Sequence, residues 1–272
     1  MKSISILGCG WLGKSLAIDL IKSGYRVLGS TTQEGKLGEL KALGIKPFRM
    51  QFDPDLSGAD TTSHLEFFQV DTLIISIPPK RKSGQTDVYL EQIYNVVSEI
   101  LAGSITTVLF ISSTSVYSDG DRMVTEADAD LTSYLVRAES KLISQTKFKT
   151  TVLRFGGLVG PGRHPGKFLA GKKDIKGGMQ PVNVIHQRDC IEIIKAILQK
   201  EAWSEVFNAC ADHHPTRSEF YTKASTALRL EPPQFNQEDE SKNKVVICDR
   251  LKAKLDYRFI YNNLFELLDS FD

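Results

Sequence analysis

Gly8-Cys9-Gly10-Trp11-Leu12-Gly13 constrains the fold of this chain more than any other stretch, because it joins a strand-like run to a helix-like one. Ile4-Ser5-Ile6-Leu7 is rich in β-branched and long apolar residues, the pattern of a strand buried on both faces of a parallel sheet. Behind the glycines, Leu12, Leu16, Leu20 and Ile21 recur at helical spacing, and Gly24 stands where a helix is capped at its C-terminus. In such a unit the first glycine permits a tight bend, the second lets the backbone approach a pyrophosphate, and the third lets helix and strand pack closely. The helix N-terminus adds amide donors and a partial positive charge. Gly8, Gly10, Trp11, Leu12 and Gly13 are therefore candidate contacts to a dinucleotide. The plainer reading is a glycine-rich turn that only starts a helix.

The next strand bears on which dinucleotide. Tyr25-Arg26-Val27-Leu28-Gly29 is apolar at its centre, and an Asp or Glu that reads a ribose 2′-hydroxyl belongs at its end, about 20 residues past the glycines. Ser30, Thr31 and Thr32 stand there instead, followed by Lys36, a set of hydroxyls and a cation suited to a 2′-phosphate. This favours NADP, with NAD as the alternative, because Glu34 in the same loop is a displaced candidate for the ribose.

A chain of 272 residues, 41% of them hydrophobic, can bury a sizeable core. Its net charge of +1 gives no footprint for nucleic acid or an anionic membrane surface, which leaves small molecules as the expected partners. No run approaches the roughly 20 apolar residues of a membrane span. The first residues lead straight into the glycine turn, so a cleaved signal peptide is not expected, and the expected location is the cytoplasm. Cys9, Cys190, Cys210 and Cys248 have no metal spacing and read as free thiols of a reducing compartment; no metal site is expected, the adjacent His213-His214 included. The oligomeric state is not legible.

Strands and helices keep alternating. Phe48 to Phe52 ends at Asp53, Thr72 to Ile77 ends at Pro78-Pro79, Thr107 to Ile111 ends at Ser112-Ser113, and Glu91 to Leu101 reads as a crossover helix. In a doubly wound sheet the carboxyl ends of the strands line one crevice, so Asp53, Ser76 and Ser113 are expected to converge on the cofactor. Their plainer role is turn formation.

From here the chain resembles extended short-chain dehydrogenases/reductases, the group of nucleotide-sugar epimerases and dehydratases. Ser112-Ser113-Thr114-Ser115-Val116-Tyr117 looks like the group's serine-bearing segment after the fifth strand. Leu153-Arg154-Phe155-Gly156 through Gly160-Pro161-Gly162-Arg163, Val184-Ile185-His186-Gln187-Arg188-Asp189 and Val206-Phe207-Asn208 are similar to later motifs, in the right order. The resemblance implies an α/β fold: a Rossmann doubly wound parallel sheet of seven strands with a small α/β C-terminal domain. The Rossmann domain is expected over 1–153, completed by about 182–210, and the substrate domain over 154–181 and 211–272. Amphipathic helices are expected over 216–230 and 259–271. The turn also resembles hydroxyacid and imine dehydrogenases, but the short C-terminal segment, broken by Pro161, Pro165, Pro181, Pro215, Pro232 and Pro233, does not suit their long all-helical domain.

The resemblance breaks at the catalytic helix. The family uses Tyr-x-x-x-Lys, in which the ammonium lowers the tyrosine pKa and holds the nicotinamide ribose. Here Ser140-Lys141-Leu142 resembles the family's Ser-Lys-Leu, which keeps Lys141 as the ribose ligand and puts Arg137 in the tyrosine's place. A guanidinium does not shuttle protons at neutral pH. In the other register Tyr134 is the acid/base, with Lys141 about 10 Å further along the helix axis. Ser113 is the candidate that orients a carbonyl oxygen. Tyr117, Tyr134 and His164 are candidate proton donors, Tyr117 with a packing role as its other reading. His186 looks structural in the family.

Two functions stay open. One is an NAD(P)-dependent oxidoreductase or epimerase-like protein, atypical within its superfamily, acting on a carbonyl or sugar-type small molecule; the basic stretch of Arg163, Lys167, Lys172, Lys173 and Lys176 suits a phosphorylated or nucleotide-linked one. The other is a catalytically silent dinucleotide-binding protein that reports redox state.

Overall fold

The computed structural model describes residues 2–52, 64–79, 86–120, 122–236 and 243–271. In chain order the elements are β1 (Ser3–Leu7), α1 (Trp11–Lys22), β2 (Arg26–Thr31), α2 (Leu37–Ala42), β3 (Lys46–Arg49), β4 (Thr72–Ile75), α3 (Thr86–Ala102), β5 (Thr107–Ser113), β6 (Arg122–Val124) and α4 (Tyr134–Ile143). They continue as β7 (Lys149–Phe155), β8 (Gly157–Val159), α5 (Gly166–Leu169), β9 (Val184–His186), α6 (Gln187–Lys200), β10 (Val206–Ala209), α7 (Arg217–Ala227), β11 (Lys244–Val246), α8 (Asp249–Leu255) and α9 (Leu264–Asp269).

Seven strands form one parallel sheet in the order β10-β7-β5-β4-β1-β2-β3. The order reverses between β1 and β4, the switch point at which doubly wound sheets bind their ligands. The central strands read as unbroken apolar runs because both faces are covered: Ile4, Ile6, Leu7, Leu73, Ile74, Ile75, Val108, Leu109 and Phe110 are all buried. This is the Rossmann fold expected from the sequence. Among the described residues no helix is long and apolar enough to cross a membrane.

The chain divides into two compact units, 1–112 with 131–153 and 201–206, and 113–130 with 154–200 and 207–272. In the first, α1 buries Leu12, Leu16, Ala17 and Leu20, and Gly24 takes up the chain beyond it at φ 87°. The helix α3 starts five residues before the expected Glu91, since Tyr89 and Leu90 extend its buried stripe of Ile93, Val96, Val97 and Ile100.

The second unit has its own core of Val159, Val182, Val184, Phe220, Ala224, Leu264, Leu267 and Leu268. The helix expected over 216–230 is α7, opened by a capping box between Thr216 and Glu219. The one expected over 259–271 shortens to α9, because the Asn263 side chain accepts from the Phe265 amide and fixes the start there. Segment 113–130 and α6, which the sequence groups with the Rossmann domain, belong to this unit. Their polar side chains bond within it: Tyr117 to Asn208, and Asp189 to the 257–261 segment.

Candidate functional site

The glycine turn occupies the switch point of the first unit. Gly8 has φ 102°, a left-handed conformation that side chains rarely adopt, and a Cβ there would stand 2.8 Å from the Ser76 carbonyl oxygen. The Ser76 amide in turn donates to the Leu7 carbonyl at 2.8 Å, which clamps the ends of β1 and β4 together. At Gly13 a Cβ would lie 2.2 Å from the Gly8 carbonyl oxygen, so only glycine lets α1 pack this close to the turn. Gly10 is different. It is exposed, and a Cβ built on it meets nothing within 4 Å.

Gly10 is also the N-cap of α1, with no side chain capping the helix and no acidic residue in its first turn. An uncapped helix start presents backbone donors and partial positive charge, and here the space before it is open. The residues present therefore fit a dinucleotide's pyrophosphate: a bend at Gly8, room at Gly10, a tight seat at Gly13. Trp11 is half-buried in this first turn, and Leu12 is buried beneath it. Cys9 is buried, its thiol pKa pushed up to about 12 by desolvation, and its sulfur lies where a Gly29 side chain would otherwise go.

The polar residues that end β2 do two jobs. Ser30 is buried, and its hydroxyl accepts the Gly8 amide at 2.9 Å while its carbonyl accepts the Cys9 amide at 2.8 Å, so Ser30 braces the turn from below. Thr31 is half-buried, and its hydroxyl accepts the Gln33 amide; Thr32 and Lys36 are exposed on the rim. Lys14 donates to Glu39 at 2.7 Å, and Glu39 is held below the usual carboxylate range by that bond and by the Lys14 and Lys36 charges. Arg49 stands beside this rim, with Nη1 donating to Glu34 at 3.4 Å. Sequence reasoning missed Arg49, and the register of β3 is the signal that finds it: Arg49 pairs with Thr31. Asp53 lies outside the described residues.

On α4, Tyr134 is half-buried and meets Tyr89 edge-on, the rings 6.1 Å apart and perpendicular. The Tyr89 hydroxyl donates to the Ile77 carbonyl just beyond β4, so Tyr134 is carried toward the carboxyl end of the sheet. Arg137 is exposed, and the Lys141 ammonium lies 5.0 Å above the Tyr94 ring. Glu139, which the sequence did not single out, is buried and accepts a 2.5 Å hydrogen bond from Ser112.

In the second unit the motif residues bond inward. Ser113 is half-buried, its hydroxyl accepting from the Ser115 amide to open the turn that follows β5. Tyr117 is buried; its hydroxyl donates to Asn208 at 2.5 Å and accepts from Arg154 at 2.9 Å, and burial pushes its pKa up to about 12. Arg154 also donates to the Glu126 carbonyl, and the Glu126 carboxylate accepts the Asn208 amide. The His164 ring accepts the Gly166 amide and packs on Phe271. His186 accepts the Arg188 amide and lies 4.0 Å from the Tyr261 ring; desolvation pushes its pKa down to about 4. Asp189 accepts from Tyr257, Ile260 and Tyr261, and its pKa is raised by burial. His213 and His214 turn to separate partners, the Leu264 amide and the Val182 carbonyl. Among the described residues no three His, Cys, Asp or Glu are grouped to hold a metal ion.

No protein-family model matches the chain. Protein YeeZ of Escherichia coli (strain K12) is 34% identical over 267 residues, which cover 96% of this chain and 97% of that protein. A functionally unknown conserved protein from Silicibacter pomeroyi DSS superposes over 100% of this chain and 98% of its own, with a TM-score of 0.75 and 23% identity. A UDP-glucuronic acid 4-epimerase from Bacillus cereus, solved with UDP-glucuronic acid and NAD, covers 99% and 97% at a TM-score of 0.78 and 17% identity. Both solved structures share the fold.

Proposed function

The chain belongs to the YeeZ family, and from that premise we propose that it binds a nicotinamide dinucleotide on its glycine turn, NADP in preference to NAD. With that cofactor it acts as an oxidoreductase or epimerase on a carbonyl or alcohol carbon of a sugar-type small molecule. The observation that carries this reading is the open space at Gly10 before an uncapped α1, framed by two positions that only glycine can fill. The fold shared with a UDP-sugar epimerase supports the substrate class, as does the basic stretch from Arg163 to Lys176. Four free cysteines suit a reducing compartment, the cytoplasm.

The dinucleotide, when bound, supplies a site that gives or takes hydride. Donors at the start of α1 would hold its pyrophosphate above a floor shaped by Ser76 and Gly8, and Lys141 would hold its ribose, the role the resemblance implies. Ser113 orients the substrate oxygen, and its half-buried hydroxyl is suited to that task. Among the candidate proton donors, Tyr117 and His164 are absorbed in internal bonds, and the position of Arg137 offers a guanidinium in place of a phenol. Tyr134 is the remaining phenol, and we assign the proton to it.

Nicotinamide absorbance followed with NADP⁺ and a panel of nucleotide sugars tests this reading. Ser113→Ala is expected to lower turnover by about 100-fold or more with dinucleotide affinity unchanged. Full binding with no turnover on any carbonyl or sugar substrate would favour the silent, redox-reporting alternative, which the absence of Tyr-x-x-x-Lys motivates.

A further inference from the structure

We infer that Arg49 is the residue that reads the adenosine 2′-phosphate, and that Glu34 competes with that phosphate for its guanidinium; this rests on the dinucleotide reading of the glycine turn. Thr31, the last residue of β2, occupies the place about 20 residues past the glycines where an acidic side chain reads a ribose 2′-hydroxyl. It cannot serve as that acid, and its hydroxyl already accepts the Gln33 amide. Arg49, the last residue of β3, pairs directly with Thr31 in the parallel ladder, and the Met50 amide donates to the Thr31 carbonyl at 3.0 Å. The two strand ends are therefore fixed about 4.8 Å apart, and paired residues of parallel strands project from the same face. That face is the one on which Gly29, paired with Pro47, lies against Cys9 of the glycine turn.

Around this point the charges are uneven. Lys14 is paired with Glu39, and Lys36 adds its charge to the same carboxylate. Arg49 is paired loosely, at 3.4 Å to Glu34, with both side chains more than half exposed. Such a pair is worth little in water, so a phosphate dianion that presents several oxygens to the guanidinium fork replaces the carboxylate readily. A 2′-hydroxyl offers no such exchange, and Glu34 then keeps Arg49 or turns to the ribose. The pair thus makes the site selective without a dedicated acid at the end of β2.

Calorimetric titration of the full chain with NADPH and with NADH, at one ionic strength, tests this. Arg49→Ala is expected to weaken NADPH by about tenfold or more and to leave NADH within about twofold. Arg49→Lys is expected to recover part of the NADPH affinity, and Glu34→Gln to tighten NADPH a few-fold. Both side chains are exposed, and unchanged melting confirms the fold of each variant. Equal weakening of both nucleotides by Arg49→Ala, or no change in either, overturns the assignment of Arg49 while leaving the glycine turn in place. No binding of either nucleotide to the unaltered chain overturns the dinucleotide reading, and this inference with it.

Discussion

The glycine turn of the first unit and the segments of the second that carry Tyr117, His186 and Asp189 are both built from motif residues, yet they handle their polar groups in opposite ways. At the turn, a Cβ on Gly10 ahead of the uncapped α1 would meet open space, and Ser30 holds the Gly8 and Cys9 amides that lead into it. In the second unit the polar atoms of the motifs are spent on one another: the Tyr117 hydroxyl on Asn208 and Arg154, the His186 ring on the Arg188 amide, the Asp189 carboxylate on three donors of the 257–261 segment. A group that already has its hydrogen bonds is expensive to redirect, because breaking them leaves buried partners unpaired. The comparison teaches that motif residues can serve as architecture, and that the proposed function rests on the groups left facing outward.

The largest expected effect separates space from clash inside the turn itself. Gly13→Val places carbon 2.2 Å from the Gly8 carbonyl oxygen, where backbone must move, and is expected to cost about 3 kcal/mol or more in stability, seen as a fall in thermal midpoint. A midpoint equal to that of the unaltered chain would mean that α1 does not pack so closely on β1.

Next comes the network of the second unit. Tyr117→Phe removes one hydroxyl but leaves Arg154 and Asn208 each short of a partner, for an expected loss of about 1–3 kcal/mol by denaturant unfolding. Dinucleotide affinity is expected to stay the same. A Tyr117→Phe variant with full stability and no turnover would return this phenol to the proton donors and blur the contrast between the regions.

The smallest effect is a pH dependence. His186 is kept neutral by burial, its pKa pushed down to about 4, whereas an unfolded histidine titrates near 6.5. Between those values the unfolded chain binds a proton that the folded chain refuses. The contribution is therefore whole above pH 6.5 and declines as the pH falls toward 4. Solvent at the ring edge reduces the effect, to about 1 kcal/mol at pH 5. His186→Phe keeps an aromatic ring against Tyr261 and Phe271 and is expected to lack this decline, so its stability relative to the unaltered chain rises between pH 7 and pH 5. His214, also held down by burial, remains in both proteins and cancels from the difference.

The fold was legible wherever periodicity and glycine placement coincide. Ile4 to Leu7, the three glycines and the stripe of Leu12, Leu16 and Leu20 define β1, the turn and α1 without ambiguity, because each level of pattern demands the same structure. Element ends were less legible. The start of α9 depends on one side-chain cap at Asn263, and α3 begins before its most regular apolar spacing does. Of the candidate site, the turn and Thr31 could be read from local sequence. Arg49 could not, since only the β2 to β3 register brings it to Thr31, and Glu139 could not, since its partner Ser112 sits on another element. Ser30 looked like part of a phosphate rim, but in the structure its hydroxyl holds the Gly8 amide, a bond between residues distant in sequence.

If the open position before α1 is a pyrophosphate seat, Gly10→Val fills it, because a Cβ there meets nothing in the protein. Fluorescence titration of NADPH into the unaltered chain and into this variant, with thermal melts of both, is the measurement. Micromolar binding to the unaltered chain, weakened on the order of 100-fold or more in a variant that melts normally, is the expected result. Equal binding by both proteins, or none by either, would contradict it.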